Sequence, residues 1–180
     1  MQETLSTQRL HLRVPVLEDA RSMAQLINGS TIPPMTASIP NVFTQLCAEF
    51  RIMRFRSQWR RQLGTAYAIT TKNDGLIGIM DIFINAAGNR ELGYWIGEPY
   101  WGKGYATEAA RAVLDEAFRS SDLPYIDAGY YVDNPASGNV LRKLGFKERG
   151  VTNTLYSIAR GQCFEGIELR LARNSAMNNA

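Results

Sequence analysis

Residues 93–107 have the types and the spacing needed to bind an anion through the main chain. They read GYWIGEPYWGKGYAT, in which an apolar stretch runs into closely spaced glycines and then into a helix that starts at about Tyr105. Gly102 and Gly104 have no Cβ, so the backbone turns sharply there and a ligand can approach closely. A helix that begins at Tyr105 directs unpaired N–H groups and the positive end of its dipole at the same place. The segment therefore predicts a site for a phosphate or diphosphate.

Two nucleotide-binding patterns are similar to this loop, and each fails at one position. Gly97, Gly102 and Lys103 match the first part of GxxxxGK, but the next residue is a glycine where a Ser or Thr hydroxyl should hold magnesium. Gly102 and Gly104 also begin GxGxxG, yet Thr107 replaces its third glycine. The loop moreover follows several predicted strands instead of the first one. A nucleotide phosphate binder, with magnesium-dependent affinity for ATP or GTP, is therefore only an alternative hypothesis for the function of this loop.

Composition indicates one soluble domain. The chain has 180 residues, of which 45% are hydrophobic and 21% charged, as expected for one well-buried core. The formal net charge of +3 is small, so no direct nucleic-acid role is expected. No apolar run reaches membrane-spanning length, and the N-terminus lacks a basic start before an apolar core, so we expect a cytoplasmic protein without membrane attachment.

Residues suited to metal or redox chemistry are scarce. His11 is the single histidine of the sequence, which excludes a multi-histidine metal site, and no metal is expected. Cys47 and Cys163 lie far apart and form no recognisable framework. Both are expected to stay as thiols in a reducing compartment.

The patterning around the loop predicts a mixed α/β sheet with helices on both faces. Strands are predicted over residues 10–16, 66–71, 76–84, 91–97, 125–132, 146–151 and 163–171. Helices are predicted over residues 18–27, from Thr44 to about Leu63, from about Tyr105 to Phe118, and over residues 135–144. The most regular apolar stripe is that of the third helix, with Ala106, Ala109, Ala110, Val113, Leu114, Ala117 and Phe118.

Beyond these patterns, the strings ELGYWIG, YWGKGYATEAAR and DNPASGNVLRKLGF resemble, in order and separation, the GNAT superfamily of N-acetyltransferases. The diphosphate loop of that family reads Gln or Arg, two free positions, Gly, one free position, then Gly or Ala. Gly104 and Ala106 match this pattern. Trp101 stands at the Gln or Arg position, as in RimJ/RimL-like members. The TQRLHLR start and the MTASIP loop also fit that subgroup.

The resemblance implies an α/β (α+β) GNAT fold. We expect a single mixed, mostly antiparallel sheet of about seven strands, splayed at its central strands and flanked by about four helices. Residues 1–173 are expected to form one acetyltransferase domain, and residues 174–180 a disordered tail.

The resemblance also implies acetyl-CoA as cosubstrate and a set of residues that bind it. Successive N–H groups from about Gly102 to Thr107 would wrap the diphosphate, with Lys103 as an additional cation. The N–H groups near Ile96 and Gly97 are expected to meet the thioester carbonyl and the pantetheine. The full set expected to bind the cosubstrate is Trp95, Ile96, Gly97, Trp101, Gly102, Lys103, Gly104, Tyr105, Ala106, Thr107, Asn134, Ser137, Asn139, Arg142 and Lys143.

The segment DNPASGNVLRK supplies the second part of that set. Asn134 before Pro135 is a good helix start, and the resemblance adds a hydrogen bond from Asn134 to the pantetheine. Ser137 and Asn139 would line the coenzyme cleft. Arg142 and Lys143 would meet the nucleotide phosphates, although solvated side chains are the commoner outcome for such a pair.

Acetyl transfer from a thioester needs a neutral amine, a stabilised oxyanion and a departing thiolate. Glu91 is the best candidate base, because it starts the strand that ends at the expected thioester position and, by resemblance, stands roughly where several GNAT enzymes have their catalytic carboxylate. A surface glutamate is the alternative. Asp81 and Glu98 are further candidates, whereas His11 is expected to be structural.

The proton donor is open, because Leu141 stands where many GNAT enzymes have a tyrosine. Ser137 is the candidate donor. Tyr130 and Tyr131 are the alternatives, although aromatic residues in strands usually serve packing.

These expectations combine into one function. The chain is predicted to transfer acetyl to a primary amine, such as a peptide N-terminus, a polyamine or an aminoglycoside-like molecule, by direct attack in a ternary complex. It is expected to be a monomer or a homodimer. A non-catalytic acyl-CoA binding or sensing domain is the alternative. The arginines of the second helix suggest an acidic peptide or a ribosomal surface as a partner, against a solvated surface.

Overall fold

A computed structural model describes residues 1–173, apart from the side chains of residues 151–153, so the predicted tail over 174–180 lies outside the described residues. The strands are β1 (Thr4–Ser6), β2 (Leu10–Arg13), β3 (Thr65–Thr71), β4 (Gly75–Ile84), β5 (Arg90–Ile96), β6 (Tyr125–Tyr131), β7 (Lys147–Ser157) and β8 (Gln162–Ala172). The helices are α1 (Asp19–Ile27), α2 (Gln45–Arg60), α3 (Tyr105–Arg119) and α4 (Pro135–Lys143). Short 3-10 turns occupy Pro33–Met35 and Glu98–Tyr100.

Local capping explains where the helices begin and end. The hydroxyl of Thr44 accepts a hydrogen bond from the N–H of Cys47 at 3.2 Å and starts α2 as predicted. α2 ends at Arg60 instead of continuing to about residue 63, since Gln62 has a left-handed φ of 57°. Gly145, with φ 90°, follows α4 and stops it.

The strands differ from the prediction at the edges of the sheet. β1 was not predicted, because its three residues are too short for a pattern. The strand predicted over 10–16 ends at Arg13, shortly before Pro15, which has no N–H for a sheet ladder. β7 continues to Ser157, beyond the predicted end at residue 151, through its antiparallel pairing with β8.

Within residues 1–173 the sheet has eight strands in the order β1-β2-β3-β4-β5-β6-β8-β7. Every neighbouring pair is antiparallel except β5 and β6. These two parallel strands pair at Glu91 with Asp127 and at Leu92 with Ala128. The rest of β5 carries no pairing with β6, so the two strands open into a gap. This confirms the predicted mixed sheet that splays at its centre.

Helices cover both faces, as predicted. On one face α3 and α4 pack on a core that includes Leu92, Ile96, Val113, Leu114 and Leu141. On the other face α1 and α2 pack on a core that includes Met23, Ile52, Phe55, Ile79 and Trp95. Each large aliphatic side chain buried in this way contributes about 1.5–3 kcal/mol. β5 is therefore anchored on both faces at the edge of the gap.

A glycine sets how closely α4 approaches the sheet. A Cβ at Gly138 would lie 2.5 Å from Cζ of Tyr130 in β6, far inside normal contact distance. The absence of a side chain at Gly138 therefore lets the start of α4 lie directly on β6, beside the gap.

Candidate active site

The glycine loop forms an open concave turn of main chain at the start of α3. Gly102 and Gly104 have φ values of 73° and 79°, a left-handed conformation that favours glycine. Gly104 is the N-cap of α3, and no side chain caps this helix. Within residues 1–173, the N–H groups of residues 102–107 have no hydrogen-bond acceptor. Such a row of N–H groups at a helix N-terminus is suited to an anion.

Arg9 holds this loop against the sheet. Its Nη1 donates to the carbonyl of Lys103 at 2.9 Å, and its Nε donates to Oε2 of Glu108 at 2.7 Å. The hydroxyl of Thr7 donates to the other Glu108 oxygen at 2.6 Å. Burial acts to raise the pKa of Glu108, but the hydrogen bonds from Thr7 and Arg9 lower it overall, so the ion pair stays charged at neutral pH.

Sequence reasoning missed the Arg9–Glu108 pair. The two residues are separated by 99 positions, and neither has a helix-spaced or strand-spaced partner that would mark it. Arg9 lies in the TQRLHLR string and Glu108 in YWGKGYATEAAR, so the resemblance contained both residues without linking them.

The tryptophan and the lysine of the loop occupy different positions relative to it. The indole Nε1 of Trp101 donates to the carbonyl of Ile96 at 2.6 Å, so that N–H is used within the protein. The rest of the Trp101 side chain is half exposed. The ammonium of Lys103 lies 5.5 Å from the ring centroid of Tyr100, at the exposed rim of the loop.

The edge of β5 at the gap carries free main-chain groups. The N–H of Gly97 donates to the carbonyl of Ile77 at 2.8 Å and is not available to a ligand. Antiparallel pairs alternate between hydrogen-bonded and non-hydrogen-bonded positions, so in this register the polar groups of Tyr94 and Ile96 face away from β4. Because pairing with β6 ends at Leu92, the N–H groups of Tyr94 and Ile96 line the gap.

Tyr94 and Ser137 meet across the gap, one from β5 and the other from α4. Their hydroxyl oxygens are 2.8 Å apart, and the Tyr94 hydroxyl also donates to the Ser137 carbonyl at 3.2 Å. Burial raises the pKa of Tyr94 to about 12, despite the opposing hydrogen bond with Ser137. Tyr94 is therefore a neutral phenol at pH 7. The sequence singled out Ser137 but not Tyr94, which was hidden in the apolar pattern of its strand.

The other predicted residues in and around α4 differ in whether their side chains bond within the protein or face the glycine loop. Asn134 caps the helix, its Oδ1 accepting from the N–H of Ser137 at 3.3 Å. Arg142 donates to Oδ1 of Asn139 at 2.9 Å and to the hydroxyl of Tyr130 at 2.8 Å. Lys143 lines the same surface hollow as Gly104 and Thr107. The structure thus brings Lys143 to the glycine loop.

Glu91 and Glu98 lie in different electrostatic surroundings. Burial raises the pKa of Glu91, and the neighbouring Asp127 and Glu168 raise it further, against a hydrogen bond from Nδ2 of Asn85. That hydrogen bond is 2.9 Å long. Glu98 accepts hydrogen bonds from the N–H and hydroxyl of Thr31 at 2.6 and 2.7 Å, and these lower its pKa. Glu91 is therefore the better placed of the two to accept a proton.

Two loops meet beside the gap and are pinned together. Arg160, in the turn between β7 and β8, donates to the carbonyl of Pro34 and to Asp133, each at 2.6 Å. Asn41 donates to the carbonyl of Ala159 at 2.6 Å. The segment between α1 and α2 is thereby fastened to the turn at residues 157–161.

Other expectations concern residues outside this region. The His11 ring lies 3.4 Å from the Ser6 hydroxyl. Arg51 donates to Ser38 at 2.5 Å and Arg56 donates to the carbonyl of Pro15 at 3.3 Å. Among the residues that the structure describes, no group of three His, Cys, Asp or Glu side chains could hold a metal ion. Over the same residues, the helices are too short or too polar to cross a bilayer.

Comparisons with known proteins agree with this geometry. A sequence profile of the acetyltransferase (GNAT) domain matches residues 9–147. An uncharacterized N-acetyltransferase, p20 of Bacillus licheniformis, is 28% identical over 165 residues, covering 91% of this chain and 92% of that protein.

Two solved structures show the same fold. RimL, a ribosomal L7/L12 α-N-protein acetyltransferase in complex with coenzyme A, matches with a TM-score of 0.83 at 19% identity, covering 94% of this chain and 98% of RimL. The microcin C7 self-immunity acetyltransferase MccE, in complex with acetyl-CoA and AMP, matches with a TM-score of 0.80 at 21% identity, covering 92% of this chain and 93% of MccE. The profile spans most of the sequence and includes the glycine loop and the gap. The chain belongs to the GNAT family of acetyl-CoA-dependent N-acetyltransferases.

Proposed function

We propose that the enzyme transfers acetyl from acetyl-CoA to a primary amine at a chain end or on a small molecule, by direct attack in a ternary complex. The favoured acceptors are a peptide N-terminus and a small-molecule amine such as a polyamine or an aminoglycoside-like molecule. One observation carries the proposal: the gap between β5 and β6 leads directly to the uncapped N-terminus of α3. A thioester in the gap and a diphosphate at the helix are thereby positioned by one rigid frame.

The coenzyme would be held mainly by backbone groups. The diphosphate would accept hydrogen bonds from the N–H groups of residues 102–107, with Lys103 and Lys143 as nearby cations. The pantetheine would lie along the free edge of β5 at Tyr94 and Ile96, opposite Asn134. The exposed ring of Trp101 would border the same groove. Arg9 would act on this site indirectly, by holding the loop that carries the diphosphate.

The acceptor would approach from the face of the sheet that α1 and α2 cover. The loops joined by Arg160 and Asn41 would border that approach, which favours the end of a chain over a residue in the middle of a folded surface. The activity of RimL on an α-amine supports this choice of acceptor by analogy. An α-amine also has a pKa of ~7.7–8.0, against ~10.4 for a lysine, so more of it is neutral at pH 7.

The groups around the gap match the proton transfers that the reaction needs. A carboxylate on the face of the sheet that α1 and α2 cover, where both Glu91 and Asp81 lie, would take a proton from the amine. The oxyanion would be stabilised by a free N–H at the edge of β5. The hydroxyl of Ser137, polarised by the neutral phenol of Tyr94, would deliver a proton to the departing thiolate.

The test is release of free thiol from acetyl-CoA by the purified enzyme. The acceptor panel contains peptides with free N-termini, the same peptides blocked at the N-terminus but carrying a lysine, polyamines and aminoglycosides. We expect thiol release with at least one of these primary amines, and the fastest release with peptides that have free N-termini. Binding of acetyl-CoA without thiol release for any amine would instead identify a sensing domain.

A loop variant tests the coenzyme site independently of the acceptor. Gly104→Val places a branched side chain where φ is 79°, so we expect loss of acetyl-CoA binding in calorimetry. Gly88→Val is a matched control, because Gly88 has a similar φ of 80° in the turn between β4 and β5, at the end of β5 that lies away from the glycine loop. Equal binding by the Gly104 variant would remove the loop from the proposed site.

A further inference from the structure

One glycine of β5 lies directly opposite a carboxylate of β4. Asp81 pairs with Gly93, and a Cβ at Gly93 would lie 2.8 Å from Oδ1 of Asp81. The carboxylate therefore occupies space next to the Gly93 backbone that a side chain would otherwise fill. Because residues alternate along a strand, Gly93 shares its face with Trp95, which packs in the layer of α1 and α2.

This face carries two polar groups without partners, one partly exposed and one buried. Asp81 is mostly buried and accepts no hydrogen bond from any other residue of the described chain. The side chain of Trp95 is buried, and its Nε1 has no hydrogen-bond partner among those same residues. Buried polar atoms are nearly always paired. The buried indole N–H of Trp95 and the partly exposed carboxylate of Asp81 therefore lie on one face of the strand pair, where a polar ligand can pair with both.

The charges that face Asp81 come from two elements. Burial is the largest influence and raises the pKa of Asp81 to about 7; Arg51 and Arg54 of α2 lower it, and Glu91 of β5 raises it. From β3 the residue paired with Asp81 is the uncharged Ala66. A carboxylate with this pKa is partly ionised at neutral pH, as an efficient general base requires.

We propose that Asp81 is a second catalytic carboxylate, which takes the proton from the attacking amine beside Gly93 while Glu91 supplies negative charge next to it. The inference rests on the proposed function, because it needs the amine on the α1 and α2 side of β5. One oxygen of Glu91 already accepts from Asn85 at 2.9 Å. The oxygens of Asp81 have no such partner, which favours Asp81 as the proton acceptor.

Every proton and bonding electron pair in the proposed acetyl transfer is accounted for. The Asp81 carboxylate takes one proton from the ammonium group of the acceptor, and the freed lone pair forms the N–C bond to the thioester carbonyl. The C–S bond then breaks, and its electron pair leaves with the thiolate. The amine nitrogen loses a second proton, which Ser137 relays to sulfur. The products are the acetylated amine and the free thiol of coenzyme A, and Asp81 returns its proton to solvent.

The test compares the pH dependence of kcat/KM in the wild type, Asp81→Asn and Glu91→Gln, with two acceptors of different amine pKa. Each rise or fall of kcat/KM along the pH profile is a limb that reports the ionisation of one group. A limb due to an enzyme group keeps its pH when the acceptor changes, whereas a limb due to the amine shifts with the pKa of that amine. For the wild type we expect a fixed limb near pH 7. Asp81→Asn should remove it and lower kcat/KM at pH 7 by about 10²-fold or more. Glu91→Gln should keep the limb but move it to lower pH, because removal of the neighbouring negative charge lowers the pKa of Asp81.

Each alternative result has one meaning. If Glu91→Gln removes the limb and Asp81→Asn only moves it, Glu91 is the proton acceptor and the proposal for Asp81 is overturned. If the fixed limb stays unchanged in both variants, neither carboxylate takes the proton and the proposal for Asp81 is overturned. Acetyl-CoA binding and the Tm of each variant show whether the fold is intact. If the wild type releases no thiol with any amine, the proposed function falls and the role of Asp81 falls with it.

Discussion

The phenol oxygen of Tyr94 lies 2.8 Å from the hydroxyl oxygen of Ser137 and joins the two sides of the gap. The serine predicted from the sequence as a proton donor is therefore one half of a pair. Either hydroxyl can be the donor in this pair. When the phenol donates to it, the Ser137 hydroxyl gives up its own proton more easily. Both residues should then contribute to departure of the thiolate rather than to binding of the coenzyme.

Tyr94→Phe is expected to lower kcat by about 10-fold to 100-fold, with little change in the affinity for acetyl-CoA. Ser137→Ala is expected to have a similar effect, and the double variant should be no slower than the slower single variant, because the two hydroxyls act as a unit. Steady-state kinetics and calorimetry measure the two quantities. Fully additive losses in the double variant would contradict a shared role.

Arg9→Ala is expected to weaken acetyl-CoA binding by about 10-fold, which corresponds to about 1.4 kcal/mol. The physical reason is that Arg9 fastens the carbonyl of Lys103 and the side chain of Glu108, so its loss lets the diphosphate loop move. Calorimetry with acetyl-CoA measures the affinity. Arg21→Ala, at an exposed position of α1, is the control and should bind normally. Normal binding by the Arg9 variant would show that the loop holds its shape without this contact.

Gly138→Ala is expected to destabilise the fold by about 1–3 kcal/mol, since its Cβ would lie 2.5 Å from Cζ of Tyr130. Gly129→Ala is the control, because its Cβ would meet Ile167 at an ordinary 3.6 Å. For a domain of this size the first change should lower the Tm by about 2–4 °C per kcal/mol. A Tm unchanged in both variants would mean that α4 shifts freely on β6.

As the pH rises from about 4 to about 7, the free energy of unfolding of the wild type is expected to fall relative to that of Asp81→Asn. Asp81 has a folded-state pKa of about 7, raised from 3.8, so the folded state binds more protons than the unfolded state in that window. Stability then decreases as the pH rises through it. Thermal unfolding at several pH values measures the difference in Tm, which should favour the variant increasingly up to about pH 7. A difference that does not vary with pH would show that Asp81 is an ordinary ionised carboxylate in the folded protein.

The sequence predicted the features that depend on neighbouring residues. The glycines at 102 and 104, the cap at Thr44 and the helix that begins at Tyr105 all follow from local conformational preferences and periodicity. The mixed α/β sheet was predicted from the order of the elements, whereas its mostly antiparallel arrangement and central splay were predicted through the resemblance, since no local pattern specifies strand order. β1 and the second half of β7 were missed because pairing with a neighbouring strand, more than intrinsic propensity, keeps them extended.

Only the tertiary structure brought together the pairs on which the proposals depend. Tyr94 and Ser137 are 43 positions apart, and Arg9 and Glu108 are 99 positions apart. Asp81 gains its unusual surroundings from Gly93 on the next strand and from two arginines of α2. Spacing along a sequence specifies which face of an element a side chain occupies, whereas the order and register of the strands decide which side chains of different elements meet. Burial, and with it the pKa of a carboxylate, is a property of that assembly.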